Sequence, residues 1–293
     1  MTRNEFLILF AICIIWGFHF VVIKVTVEMV PPLFYAAMRM CLLAIVLSPL
    51  LRIYKGRMLR IFVAGMCLGG LNFGFLFLGL QYASPSAAAI AIELSIPFAT
   101  VLSVIFLGER VRWRRTVGIA MAFAGICIIA FKPGEADLSL GVGLVALAAL
   151  FEASGAVLVK SLKGVPPLRL QAWAALIGAC VLSLGTSVFE TGGIAAVREA
   201  GLLFYGALAY SVFLSSLVGH TSFYWLLQRR DISQIAPGLI LTPILAAGFG
   251  VWLTGDTFTP VMAVGAAVSL LGVFIVMVRS GPKSPVVESA GGT

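Results

Sequence analysis

Charge is scarce in this chain. Lys and Arg number 20 and Asp and Glu 12 among 293 residues, 11% in all, with two histidines besides. Soluble domains carry about 25% charged residues, so a water-soluble globular protein is excluded. Catalytic signatures are missing as well. The sequence holds no His-Glu-x-x-His, no Gly-x-Ser-x-Gly and no paired aspartates at membrane depth, which argues against an intramembrane enzyme. It has no Walker motif, so ATP hydrolysis by this chain is excluded, and the "GVG" at Gly141 to Gly143 lacks the strand and third glycine of a dinucleotide site. The five cysteines, Cys13, Cys41, Cys67, Cys127 and Cys180, form no Cys-x-x-Cys. They therefore suggest small apolar packing residues rather than a zinc site or a disulfide framework. No cofactor and no metal is implied, and nothing calls for nucleic acid.

What is present is apolar. Hydrophobic residues make up 61% of the chain and the mean hydropathy is +1.09. A membrane-crossing helix needs about 20 mostly apolar residues. Such runs occur ten times, near 5–23, 33–52, 60–81, 85–107, 115–131, 140–160, 168–189, 202–227, 232–253 and 259–279. The expected fold class is all-α integral membrane, embedded in the lipid bilayer, with no soluble domain between spans. The first run is too long for a cleaved signal segment and lacks an Ala-x-Ala site, so it is expected to stay.

The net charge of +8 encodes orientation. Sixteen Lys and Arg fall at the N-terminus, in alternate loops and after the last span; the opposite loops hold three, Lys24, Lys132 and Arg198, and Arg39 lies within the second run. By the positive-inside rule both termini face the cytoplasm. Residues 282–293 are rich in small residues and read as a disordered cytoplasmic tail.

The chain repeats itself. Pro97, Glu109, Gly118 and Gly125 pair with Pro243, Asp256, Gly265 and Gly272 at offsets of 146 or 147, and Lys24 and Pro31 pair with Lys160 and Pro166 at 136 and 135. Two five-helix repeats follow, residues 1–136 and 137–281. Five is odd, so the second enters the membrane inverted, an architecture of secondary transporters that bind substrate near the midplane.

Against this apolar background the polar residues stand out. A charge at the bilayer centre costs about 2.5–3.5 kcal/mol on insertion scales, so such groups face the bundle interior or a wet cavity. Glu93 precedes Pro97 by four, and a proline cannot donate to the carbonyl at that distance. A kinked helix there would expose a carboxylate beside a free carbonyl. Pro243, with Pro237 just before it, repeats the device in the ninth run. Glu152 aligns with Trp16 across the repeats, and Trp16, His19 and Phe20 share one helical face. Asn72 and His220 add neutral polarity. The candidate cavity residues are therefore Trp16, His19, Phe20, Asn72, Glu93, Glu152 and His220, with Pro97, Pro237 and Pro243 as kinks or gates. The plainer alternative has Glu93 paired with Arg39, and Trp16 and His19 as satisfied packing.

"IIWGFHFVVIKVTVEMVPPLFYAAMRM" followed by "PFATVLSVIFLGERVRWRRTVGIAMAFAGICII" resembles the EamA family of the drug/metabolite transporter superfamily, over roughly residues 5–280. The tone is similar to YddG-like amino-acid exporters. One departure is "TGDTFTP" in the second half, where the family usually shows an acidic residue followed by a basic one. The resemblance implies ten helices in two inverted repeats and a bacterial inner-membrane location. It also implies a secondary transporter exporting small metabolites, foremost amino acids including aromatic ones, by alternating access through a central cavity. A multidrug or other metabolite exporter, or a channel, are the alternatives. The oligomeric state is left open, and a monomer is compatible with the sequence.

Overall fold

The computed structural model describes residues 2–107, 113–130, 139–162, 164–227, 235 and 238–278. Glu109, Pro237 and the tail 282–293 lie outside the described residues. The elements are α1 Arg3–Met29, α2 Pro32–Leu50, α3 Met58–Tyr82, α4 Pro85–Phe106 and α5 Trp113–Ala130, then α6 Leu140–Val159, α7 Pro167–Phe189, α8 Gly193–Phe223, α9 Leu241–Thr254 and α10 Pro260–Met277. No strand occurs among the described residues. Nine of these helices are long and apolar enough to cross a membrane; α9, at 14 described residues, spans about 21 Å against a core of about 30 Å.

Local chemistry sets the helix ends. Thr2 opens α1 with a capping box, its hydroxyl accepting from the Glu5 N–H while its own N–H donates to the Glu5 carboxylate. The helix continues past the apolar run to Met29, where the Lys24–Glu28 ion pair at 3.1 Å braces its last turns. Pro31 then forces Val30 into extended backbone and ends it. Proline stands at the first helical position of α2, α4 and α7, where its missing N–H costs nothing. At the start of α4 the Asp256 carboxylate accepts from the Ser86 N–H at 3.2 Å, which gives the acidic residue of "TGDTFTP" a capping role.

Four helices depart from α geometry, α2 only in its last turn, Ser48–Leu50, which is 3₁₀. Helix α3 contains a π segment, Met66–Leu71, and α8 contains a longer one, Tyr210–Gly219. They occupy the third position of each five-helix set. Helix α4 tightens to a 3₁₀ turn at Ile92–Leu94, two residues before its proline at 97. Helix α8 begins earlier than its apolar run, at Gly193, because a bend joins a preceding segment to it. Gly201 makes that bend with φ +60° and ψ −143°, a conformation open to glycine.

The helices pair across the two halves: α1 against α8 and α9, α6 against α3 and α4, α2 against α7, and α5 against α10. The last crossing is the closest to a symmetric one. Gly118 meets the backbone of Gly272, and Gly125 meets that of Gly265; a Cβ at Gly125 would stand 2.5 Å from the Gly265 carbonyl oxygen. The sequence pairs Gly118 with Gly265 and Gly125 with Gly272, so each glycine touches the counterpart of the other. A two-fold axis between repeats produces that exchange. Gly69 in α3 likewise lies on the Ala174 backbone of α7, close packing that only small residues permit. The main apolar core, including Tyr35, Phe77, Ala88, Val145 and Phe204, fills the space among α2, α3, α4, α6 and α8.

Candidate functional site

Two polar clusters lie inside this apolar bundle. The first joins α1 and α2 to the π segment of α8. His19 is buried, with Nε2 2.9 Å from the Ser211 hydroxyl and Nδ1 3.1 Å from that of Ser215. Trp16, one turn earlier on the same face, donates its indole N–H to the Ser215 carbonyl at 3.2 Å and packs on His220, ring centroids 5.3 Å apart. His220 in turn places Nδ1 3.1 Å from the same carbonyl. From α2, the Tyr35 hydroxyl lies 2.7 Å from the Ser211 hydroxyl, and an Arg39 nitrogen donates to the Ser216 hydroxyl at 3.0 Å.

Why the serines can do this is a matter of backbone geometry. A π turn leaves carbonyls without their usual i+4 partner, and the Ser216 hydroxyl donates to the Ser211 carbonyl, five residues back, at 2.9 Å. The segment thereby presents three hydroxyls inward at an otherwise apolar depth. A regular helix would keep Ser211 and Ser215 on one face, four residues apart, but would turn Ser216 about 100° away from Ser215.

The second cluster joins α3, α4 and α6. Asn72 donates its amide to the Ala148 carbonyl of α6 at 3.0 Å, one turn before Glu152 on the same helix. Glu93, carried on the 3₁₀ turn of α4, stands close enough to Glu152 for the two carboxyls to sense each other's charge. Both are enclosed by neighbouring helices yet keep partial accessible surface. Carboxyls so placed face an internal space rather than the hydrocarbon. Phe75 of α3 stacks on Phe151 of α6, with planes 6° apart and centroids 5.5 Å apart.

The structure thus groups Trp16, His19 and His220 in one cluster and Asn72, Glu93 and Glu152 in another. Phe20 is half-buried against the core. Pro97 follows the 3₁₀ turn in α4, and Pro243 stands in the first turn of α9 after a break at Ile240. The Glu93–Arg39 ion pair considered from the sequence is not formed; among the described residues Arg39 has no acidic partner.

A cavity of about 1260 Å³ contains none of these residues. It lies between α3 and α7, with Gly70, Gly74 and Gly185 in its floor and Leu184, Val188 and Phe189 on its rim. Those rim residues are among the most exposed of the chain. The cavity is therefore a cleft in the lipid-facing surface, and the enclosed clusters have the stronger claim to chemistry. Reading the sequence alone missed Tyr35, Ser211, Ser215 and Ser216. The serines carried a signal, three hydroxyls within six residues of an apolar run, but their common face depends on the π register.

Residues 4–131 and 139–278 each match the EamA-like transporter family. The chain belongs to that family. A transporter of Archaeoglobus fulgidus, uncharacterized by its name, is 28% identical and the match covers 89% of this chain and 94% of that one. A "probable amino-acid metabolite efflux pump" of Salmonella typhimurium is 25% identical, covering 94% of this chain and 95% of its own. A crystal structure aligns with a TM-score of 0.63 over 94% of this chain and 96% of that one, at 20% identity, which supports the fold alone. The protein is a multi-pass membrane transporter of that family.

Proposed function

We propose that this transporter exports amino acids, aromatic ones among them, by alternating access through a central cavity between two inverted repeats. The observation that carries the reading is geometric: Glu93 sits on the 3₁₀ turn of α4, which packs against α6, the helix of Glu152, and the buried Asn72 bonds α6 from α3, so two half-buried carboxyls and an amide are carried at membrane depth by three helices in contact. A carboxylate there attracts the substrate ammonium. Transporter pockets of this sort are mostly apolar with a few placed polar groups. Trp16, His19, Phe20 and His220 complete the proposed cavity from the α1 and α8 side. Pro97, Pro237 and Pro243 act as hinges, because a broken helix moves with less loss of backbone bonding than a continuous one.

The efflux pump of Salmonella typhimurium supports the amino-acid class by its name. The basic loops support cytoplasmic termini, and the bacterial efflux-pump relative supports an inner-membrane location and outward transport. The repeats are assigned to 1–136 and 137–281, with a cytoplasmic tail at 282–293. Without ATP, transport is facilitated diffusion or coupled to a gradient. Uptake of an amino-acid panel into proteoliposomes, with and without a pH gradient, tests the proposal; saturable flux of at least one amino acid is expected, and none for any of them refutes it.

A further inference from the structure

Arg39 is the largest fully buried side chain in the protein, at 1% exposure, and it lies mid-way along α2. Its partners do not account for its charge. One guanidinium nitrogen donates to the Ser216 hydroxyl at 3.0 Å. Nε and the other terminal nitrogen have no hydrogen-bond partner, and no carboxylate pairs with it. The guanidinium plane instead covers the Phe73 ring at 4.3 Å and approaches Phe77 at 5.8 Å. A cation–π contact contributes about 0.5–2 kcal/mol. Removing a cation from water costs several kcal/mol, so the aromatic faces leave the group under-compensated.

The orphaned donors have a neighbour with the opposite deficiency. Gln171 of α7 donates its amide to the carbonyl of the same Ser216, at 3.3 Å, while its own side-chain oxygen is buried without a partner. Arg39 and Gln171 therefore converge on one residue of the π segment from two helices. One brings unused N–H groups and a positive charge, the other an unused acceptor. No other group described around Arg39 is acidic: Tyr35, His19 and His220 are its polar surroundings. The one hydrogen-bond partner of the guanidinium, Ser216, lies in a backbone segment already displaced from α geometry. Shifting that segment would release the guanidinium without breaking a regular helix.

We infer that Arg39 is an occluded anion site that takes the carboxylate of the transported metabolite, with Gln171 as its neutral acceptor partner. The inference rests on the amino-acid reading proposed above, which assigns the ammonium to Glu93 and Glu152. It adds the opposite pole. Once Ser216 withdraws from Nη2, that nitrogen shares an edge with each of the two unpartnered ones, and either edge matches a carboxylate in bidentate geometry, so that an orphaned donor finds an acceptor. A metabolite lacking a carboxylate would leave it unpaired, which gives the site a basis for rejecting amines.

The test uses the full-length protein in detergent and reads apparent Kd from thermal-shift titrations with L-phenylalanine, phenylalaninamide and 3-phenylpropionate. The last keeps the carboxylate and ring without the ammonium. Hydrogen bonds to a charged partner, converted at tenfold per 1.4 kcal/mol, give an expected preference for phenylalanine over its amide of about tenfold to a hundredfold. Arg39→Gln should reduce that preference below about twofold by removing the charge, and Arg39→Lys should retain part of it. 3-Phenylpropionate should bind the wild type and lose affinity in Arg39→Gln. If the wild type binds the amide as tightly as the acid, the inference fails whatever the variants do. It fails equally if neither acid binds, or if Arg39→Gln keeps the wild-type preference. Acid-selective binding without amino-acid flux in proteoliposomes would instead leave the anion site standing and sink the export reading.

Discussion

Glu190, at the C-terminal end of α7, holds the start of α2 by an arrangement whose removal has a calculable cost. The first backbone N–H groups of a helix have no partner within it. In α2 that problem is solved without remainder: Pro31 and Pro32 carry no N–H, and Leu33 and Phe34 donate to the two Glu190 carboxylate oxygens at 2.8 Å each. The Thr186 hydroxyl adds a third donor at 2.9 Å. Glu190→Ala strands two N–H groups at a helix terminus and removes a negative charge from its positive end. Helix caps contribute about 0.5–2 kcal/mol and hydrogen bonds to charged groups about 1.5–3. Because water reaches the outer ends of these helices, an expected loss of about 2–4 kcal/mol is reasonable for the pair. Glu190→Gln keeps one acceptor oxygen and should lose about half of that, and Thr186→Val about 1 kcal/mol. The assay is thermal unfolding in detergent, followed by the fluorescence of the five tryptophans. The order wild type, Thr186→Val, Glu190→Gln, Glu190→Ala is required. Equal stability of Glu190→Ala and wild type would refute the reasoning.

Gly125→Ala should destabilise by about 1–3 kcal/mol, because its Cβ meets α10 backbone; Gly143→Ala, with open space around it, should be neutral or stabilising by up to about 1 kcal/mol in the same unfolding assay. Trp16→Ala should weaken substrate affinity in proteoliposomes by about twofold to thirtyfold, most for aromatic amino acids, and wild-type kinetics would reduce the indole to packing on Gly219 and His220. A single cysteine at Arg57, in a cysteine-free background, should resist an impermeant thiol reagent added outside intact cells; outside labelling would reverse the proposed orientation.

The helices were legible because hydrocarbon demands long apolar runs, and their ends because Pro31, Pro85 and Pro166 mark them. Repetition was legible in Gly118 and Gly125, whose counterparts they exchange across the α5–α10 contact. The polar interior was legible only in part. Glu93, Asn72 and Glu152 could be placed at depth from the sequence, but their approach to one another depends on how α4 and α6 pack. The His19 partners were hidden because Ser211 and Ser215, though one turn apart on one face, show nothing in sequence of their packing on α1, and Ser216 joins that face only where α8 takes π geometry. The weight given to an Arg39–Glu93 pair also misled, because charge alone does not reveal that Phe73 and Ser216 occupy the guanidinium's surroundings. The extension of α8 back to Gly193 escaped notice because one glycine with positive φ joins two segments of different direction.

The central claim, alternating access at a carboxyl-lined cavity, is tested most directly by counterflow. Proteoliposomes loaded with unlabelled amino acid should accumulate the labelled compound transiently from outside, with saturable kinetics, because a carrier that alternates returns more quickly loaded than empty. Glu93→Gln and Glu152→Gln, which remove charge while keeping volume, should each lower that exchange while the purified proteins unfold as the wild type does. Linear flux with no stimulation from the opposite side, or full exchange by both variants, would contradict the account.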